Sequence, residues 1–433
     1  MKKHVVRYYL TFSAMLLLFY IALGSCFVLF QSFLSDELHL TAPQIGTVYT
    51  FIAFVALFCA PLFGAWQDML GNSKKLLGII GIGLVLCFPI LGMLMVYVYH
   101  HVAFLPAAII AGLYFGTMIQ SGVGTVESYC EQATRHLGAF EYGRARFWAP
   151  IGCASATALS GYLLKINPYF CFWVSSISGV LFLLVLFSFS AKDLEPERKE
   201  TIAEVEAQAA GSFKDTFMLL RSTTFWALIS FLFIATGGFM LFDQQFPLFY
   251  ASLFPADMAN EGAQRASMIL SVQMIGEAIM TLLLPSLVNK IGARNGLLLG
   301  GLVMALRIFL ISMTLHLPRE IQPYWAGALK LLQAVEVPIL IISTFKYISR
   351  HFAERFTATI YLLSFQCSQQ VSTIFLSSLL GLSYKSSLGY TGTYTLMAIV
   401  ILAFTILATF TLPRRGQSSI AGDATTTAAT SQA

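Results

Sequence analysis

Apolar residues gather along this chain in blocks, each closed off by a short polar turn. A block of about 20 apolar residues can cross a bilayer as an α-helix, and in lipid a helix satisfies its own backbone groups. Windows of that length predict twelve spans, near residues 9–33, 45–66, 76–99, 103–130, 147–164, 169–190, 224–252, 264–288, 295–316, 322–345, 356–382 and 387–411. The first is too long for the apolar region of a signal peptide, and no small-residue cleavage site follows it, so it is expected to be retained. The longest charged stretch, residues 191–222, falls between the sixth and seventh spans and divides them six and six. The predicted organisation is an all-α membrane protein. It has an N-terminal six-helix half (1–190), a cytoplasmic linker (191–222), a C-terminal six-helix half (223–415) and a polar tail (416–433) with the composition of a disordered segment.

Composition and charge add sidedness. The chain is 57% hydrophobic and 11% charged, against about 25% charged in soluble domains. Lys and Arg stay preferentially on the cytoplasmic side of a membrane. With both termini inside, twenty of the 26 basic residues fall in inside segments, four (Lys165, Arg265, Arg319, Lys385) outside, and two (Arg307, Lys330) within spans. The reading is a multi-pass protein of a bacterial-type cytoplasmic membrane with both termini in the cytoplasm. The net charge of +5 belongs to the inside loops and points to no nucleic-acid partner. The seven cysteines lie in or at the ends of spans without CxxC spacing, which suggests neither a disulfide framework nor a zinc site. No phosphate-binding loop of the Walker type occurs, which disfavours an ATP-driven pump. Histidines confined to loops and span ends offer no nucleophile–base or metal-ligand cluster for an enzyme, and neither cofactor nor metal is expected.

The two halves share a turn. After the second span the chain reads GAWQDMLGNSKK, and after the eighth LVNKIGARN. Aligned on Asp68 and Asn289, both place a glycine three residues on (Gly71, Gly292), followed by basic residues. A repeated turn at the same place in each half is the mark of duplicated transporter halves. Gly64, Asp68, Gly71 and Lys75 also resemble the signature loop of the major facilitator superfamily, although a tight inside turn alone would account for them.

Residues 239–246 read FMLFDQQF inside an otherwise apolar run. A charge at the centre of such a helix costs about 2.5–3.5 kcal/mol on insertion scales, so it needs a partner or a function. Within or at the edge of the spans stand four acids (Glu127, Asp243, Glu277, Glu336) and three bases (Arg146, Arg307, Lys330). Full ionisation leaves one negative charge over, and a buried carboxylate without a partner takes up a proton. The set therefore suits one exchangeable proton. Lys330, Gln333 and Glu336 recur every three residues, which holds them on one helical face.

The stretches FEYGRAR (140–146), FDQQF (242–246), NKIGARNGLLL (289–299), ALRI (305–308), LKLLQAVEVP (329–338) and FKYI…RFTATIYL (345–362) resemble, along nearly the whole chain, the lactose permease family of oligosaccharide–proton symporters. That resemblance implies the major facilitator fold and a role for each charge. Glu127 and Arg146 match a carboxylate and guanidinium that hold sugar hydroxyls, which a planar fork suits. Glu277 matches the carboxylate joining sugar binding to proton movement. Arg307 and Glu336 match the proton site, with Glu336 the carrier, and Asp243 and Lys330 match a structural ion pair between spans seven and ten.

The chain departs from lactose carriers in several places. A second aspartate–lysine pair is Met240 and Gln369, a tyrosine–histidine pair is Phe239 and Gln333, and a cavity asparagine is Met280. The aromatic on which galactose stacks is Cys153, with Trp148 nearby in the same helix. These changes turn the expectation away from lactose and somewhat toward sucrose. The resemblance implies a proton-coupled importer of a disaccharide or oligosaccharide, of the lactose, sucrose, melibiose or raffinose class. Its partners are the sugar, a proton and the bilayer, with one copy of the chain acting alone. A proton-driven exporter of sugars or drugs on the same scaffold is the alternative, but it should carry its acids in the N-terminal half.

Overall fold

The computed structural model describes residues 3–70, 73–137, 142–189, 222–255, 258–352 and 360–413, and all regular structure among them is helical. The linker up to residue 221, the tail and Gly71 of the turn motif lie outside the described residues, as does the side chain of Asp68. In chain order the first-half helices are α1 (residues 3–36), α2 (Ala42–Leu70), α3 (residues 75–101), α4 (residues 104–137), α5 (residues 142–166) and α6 (Phe170–Phe187). The second half has α7 (Thr223–Ala251), α8 (Ala259–Ile291), α9 (Ala293–Ser312), α10 (Gln322–His351), α11 (residues 362–385) and α12 (Gly389–Thr411). Each predicted span falls on one of these helices.

Among the described residues, nine helices are long and apolar enough to cross a membrane, and α3, bent by 44°, makes a tenth when its two arms are joined. The bend has a local cause. Pro89 has no N–H for the carbonyl of Val85, so the ladder loosens just ahead of it. The remaining two helices, α5 and α11, are less apolar because they carry runs of small and polar residues, such as CASATALSG in α5 and SQQVST in α11. Their position explains that composition.

Within the first half α1 packs on α5 and α6, α2 on α4, and α3 on α6; within the second, α7 packs on α11 and α12, α8 on α10, and α9 on α10 and α12. Each half buries its own aromatic-rich core, with Phe12, Phe30 and Phe115 in one and Phe225, Phe242 and Tyr394 in the other. The halves meet along two seams, α2 against α11 and α5 against α8. Because α8 and α11 stand in the second half where α2 and α5 stand in the first, the two seams exchange when the halves do, as in transporters built from repeats. Seam helices face another helix at close range rather than lipid, which favours small residues.

The turn repeated in the sequence does the same work in each half. Lys74 donates to the carbonyls of Leu186 (2.7 Å) and Phe189 at the end of α6. Arg294 donates through Nε to the carbonyl of Leu412 (2.7 Å), and through a second nitrogen to Thr409, at the end of α12. A cation at a helix C-terminus satisfies orphan carbonyls and opposes the negative end of the helix dipole.

Among the described residues the seams are tightest at the end of the bundle that carries the turns at 37–41 and 252–255. A Cβ on Gly46 would stand 2.6 Å from the carbonyl oxygen of Ser377, and one on Gly381 would stand 2.6 Å from that of Ala42. On the second seam Ser271 donates to the carbonyl of Ala154 at 2.7 Å. Toward the other end no side chain is buried over residues 57–66 of α2 or 275–283 of α8, so those segments are the less covered parts of their helices. The bundle is closed at one end and open at the other.

Gly381→Val should therefore hold the closed end apart, since its side chain meets backbone of α2 that has no room to yield. Spin labels on the 37–41 and 386–388 turns should report a longer distance than in the wild-type protein; an unchanged distance would mean the seam accommodates bulk.

Candidate functional site

A cavity of about 390 Å³ lies between the halves, within the roughly 300–1,000 Å³ usual for small-molecule sites. Phe27, Gln120 and Cys153 line it from the first half, and Asp243, Glu277 and Gln333 from the second. Two of these positions follow backbone irregularities. Gln120 ends a π-helical turn in α4, and Gln333 follows a break in α10 at Leu332, upstream of Pro338. Irregular backbone at membrane depth is tolerated where it lines a cavity.

Three side chains close a ring on the cavity wall. Lys330 Nζ donates to Asp243 Oδ1 and to Gln333 Oε1 (2.6 Å), and Gln333 Nε2 donates to Asp243 Oδ2 (2.7 Å). The ring is lopsided. Lys330 has no solvent exposure, whereas the Asp243 side chain is 32% exposed. The pair predicted between spans seven and ten is thus present, but its carboxylate faces the cavity.

Behind this ring sits a second ion pair. Arg307 donates to Glu336 through Nε to Oε2 (2.9 Å) and through a terminal nitrogen to Oε1 (2.6 Å). Both side chains are fully buried. The Phe242 ring stands by both cations, with its centroid 4.6 Å from the Arg307 guanidinium carbon and 5.4 Å from Lys330 Nζ. The three-residue spacing predicted one face for Lys330, Gln333 and Glu336. They take different partners, Lys330 and Gln333 bonding to Asp243 and Glu336 to Arg307.

Glu277 lines the cavity with an amide for a partner, Gln273 Nε2 donating to it at 2.5 Å, and among the described residues it makes no ion pair. Glu127 and Arg146 are brought to each other but not to the cavity wall. Arg146 Nε donates to Glu127 Oε1 at 3.1 Å, and the Tyr20 hydroxyl donates to the same oxygen at 2.6 Å. On α4 Glu127 lies about 10 Å beyond Gln120, and Arg146 precedes Cys153 by a similar rise, both toward the open end. The resemblance led to the expectation that both lie deep in the cavity; they stand instead nearer the helix ends, where the hydropathy pattern puts them, and neither lines the cavity.

Met240 and Gln369, which stand where lactose carriers have a charged pair, both line the cavity. Gln244 lines it too while its Oε1 accepts from Ser377 at 2.6 Å. Trp148 is not on the wall; its indole N–H donates to the Tyr9 hydroxyl at 3.2 Å. A survey confined to charges passes over Tyr20 and the wall residues Gln31, Gln120, Gln273 and Gln370. Amides inside apolar spans are the signal that finds them. Gln31, for instance, accepts from the buried Tyr49 hydroxyl at 2.8 Å.

A family model described as the LacY proton/sugar symporter matches residues 1–424. The chain is 32% identical over 401 residues to a lactose permease of Citrobacter freundii, covering 92% of each protein. It is 33% identical over 422 residues to a melibiose permease of Enterobacter cloacae (95% of this chain, 94% of the relative), and 30% identical over 418 residues to a sucrose permease of Escherichia coli (95% of each). Among solved structures, a nucleoside transporter superposes with a TM-score of 0.73 at 13% identity, covering 94% of this chain and 98% of the other. A D-xylose–proton symporter does so at 0.68 and 14% identity, covering 97% and 99%. These two likenesses are of fold.

The lopsided burial of the Asp243–Lys330 pair makes an asymmetric prediction. Removing one partner of a buried pair costs about 3–5 kcal/mol because the other is left uncompensated. Asp243→Asn strands a fully buried ammonium, while Lys330→Met strands a carboxylate that the cavity can hydrate. Thermal unfolding in detergent should show Asp243→Asn the more destabilised, with the double variant closer to wild type than Asp243→Asn. Equal losses would contradict the exposure difference.

Proposed function

The chain belongs to the LacY proton/sugar symporter family, a proton-coupled carrier of oligosaccharides and not an enzyme, and on that premise we propose how this member is built and how it works. Twelve helices span the cytoplasmic membrane of a bacterium with both termini inside. The distribution of Lys and Arg supports that orientation, and it puts the tight seam ends outside. The form described is then open to the cytoplasm, and sugar crosses by rocking of the halves about the cavity. The observation that carries this reading is a cavity walled by both halves, with carboxylates and amides among its lining residues. The whole path lies within one chain, which supports action as a monomer.

Glu336 is the proton carrier. Arg307 holds both its oxygens in a buried pair, and we take proton uptake to accompany the parting of that pair. Glu277 joins sugar to proton, because it is the cavity carboxylate without a basic partner. Glu127 and Arg146 grip sugar from the first half at the open side, with Tyr20 fixing one oxygen of Glu127 and leaving the other to accept a hydroxyl. Asp243 and Lys330 hold α7 to α10, Gln333 is bonded to both and belongs with them to the sugar-binding wall, and Gly64, Asp68 and Gly71 form the turn on which the halves move. The substrate is a disaccharide or trisaccharide of the kind for which the relatives are named, lactose, sucrose, melibiose and raffinose.

Uptake of labelled members of that set, with and without a protonophore, tests the reading. Glu336→Gln keeps shape but removes the exchangeable proton, so uphill accumulation should vanish while sugar exchange across the membrane persists. Undiminished accumulation would remove Glu336 from the proton path.

Cys153 lines the cavity where a stacking ring stands in lactose carriers. Cys153→Trp should change the order of preference among lactose, melibiose and sucrose, favouring galactosides, while leaving coupling intact. Competition by the unlabelled sugars reads this; an unchanged ranking would mean position 153 does not meet the sugar.

A further inference from the structure

The ring formed by Asp243, Lys330 and Gln333 has more hydrogen-bonding capacity than it uses. A carboxylate offers about four acceptor positions and a primary amide two donors. Within the ring Asp243 accepts one bond on each oxygen, and Gln333 donates one of its two. Lys330 is spent differently. It is fully buried, gives two bonds to the ring, and lies 5.2 and 5.4 Å from the centroids of Phe246 and Phe242. The unused capacity is therefore on Asp243 and Gln333, and both residues line the cavity.

A purely structural pair has no reason to be arranged this way. The neighbouring Arg307–Glu336 pair shows the alternative, with two parallel hydrogen bonds and no exposure on either partner. At Asp243 the cation is withdrawn and the anion is presented. A fixed carboxylate beside a fixed amide N–H is the complement of a vicinal diol. One hydroxyl donates to the carboxylate, and the oxygen of the next accepts from the amide. Met240, one turn earlier on α7, supplies an apolar neighbour on the same wall and no competing charge.

We infer that Asp243 is a direct sugar ligand, which Lys330 and Gln333 hold in place, so that the pair linking α7 to α10 is also a specificity element. This rests on the symport reading above and assigns a contact within the same cavity. It makes Gln333 a partner for a sugar hydroxyl through its remaining N–H. Lys330 is a positioning residue.

The test separates holding the fold from holding the sugar. Equilibrium binding to purified protein is measured with the tightest-binding of lactose, sucrose, melibiose and raffinose, for wild type and for Asp243→Asn/Lys330→Met, together with melting temperature. Binding by the wild type tests the symport reading independently. The double variant removes both charges, so its melting temperature should return toward wild type while affinity stays about ten- to a hundredfold lower, the weight of a charge-assisted hydrogen bond. A set of monodeoxy analogues locates the contact. One analogue should lose affinity for the wild type and lose none further for the variant. Affinity that recovers with the melting temperature, or analogues that lose the same factor in both proteins, would overturn the inference. Asp243→Glu, which keeps the charge pair but displaces the oxygens by a methylene, serves the same comparison if the double variant does not fold.

Discussion

Two parallel hydrogen bonds join the guanidinium of Arg307 to the carboxylate of Glu336, with no solvent on either side. A charge alone in that environment would cost several kcal/mol, so each group depends on the other. The rest of the second half is arranged around this pair. The Phe242 ring lies close to both Arg307 and Lys330 and stabilises each through its quadrupole. Glu336 accepts from one of these cations and Gln333 from the other. The result is one network sealed from the cavity and one open to it.

The same accounting governs the backbone. α2, α5, α8 and α11 must approach each other at one end and separate at the other, so their faces cannot be uniformly apolar. Small residues permit the approach, as at Gly46 and Gly381, where any Cβ would collide with a facing carbonyl. Hydroxyls such as Ser271 supply single hydrogen bonds across the seam. Such contacts are weak enough to exchange for water or for the opposite seam. Ion pairs are instead kept within a half, as Glu127 with Arg146 and Asp243 with Lys330, so moving one half against the other strands none of them.

Much of this was legible in the sequence because lipid imposes strict rules on it. The length of each apolar block located the helices. The pairing of Asp243 with Lys330 followed from the resemblance, whereas Arg307 and Glu336 were expected together as a proton site and not as a bidentate ion pair. The depth of each partner was not legible. Asp243 and Lys330 look alike in a hydropathy plot, yet one faces the cavity and the other does not. Helical spacing at Lys330, Gln333 and Glu336 likewise said nothing of which partner each would take. The glutamines were missed for another reason. An amide costs less to bury than a charge, so Gln120, Gln273 and Gln370 leave little trace when charges alone are surveyed.

Those amides alter what the cavity can recognise. An aromatic platform reads the apolar face of a sugar ring and tolerates variation at its edge. An amide offers a donor and an acceptor in fixed relation, and it remains neutral whatever the state of the proton site. With Cys153 in place of a stacking ring, and with Met240 and Gln369 in place of a charged pair, the wall has exchanged charge and stacking for neutral hydrogen bonds. Gln333 carries this furthest. An imidazole there would titrate near neutrality and tie sugar binding to its own protonation, whereas the amide cannot. Among the acids, Glu336 is held by its guanidinium and Asp243 by its ammonium, while Glu277 faces the cavity beside Gln273.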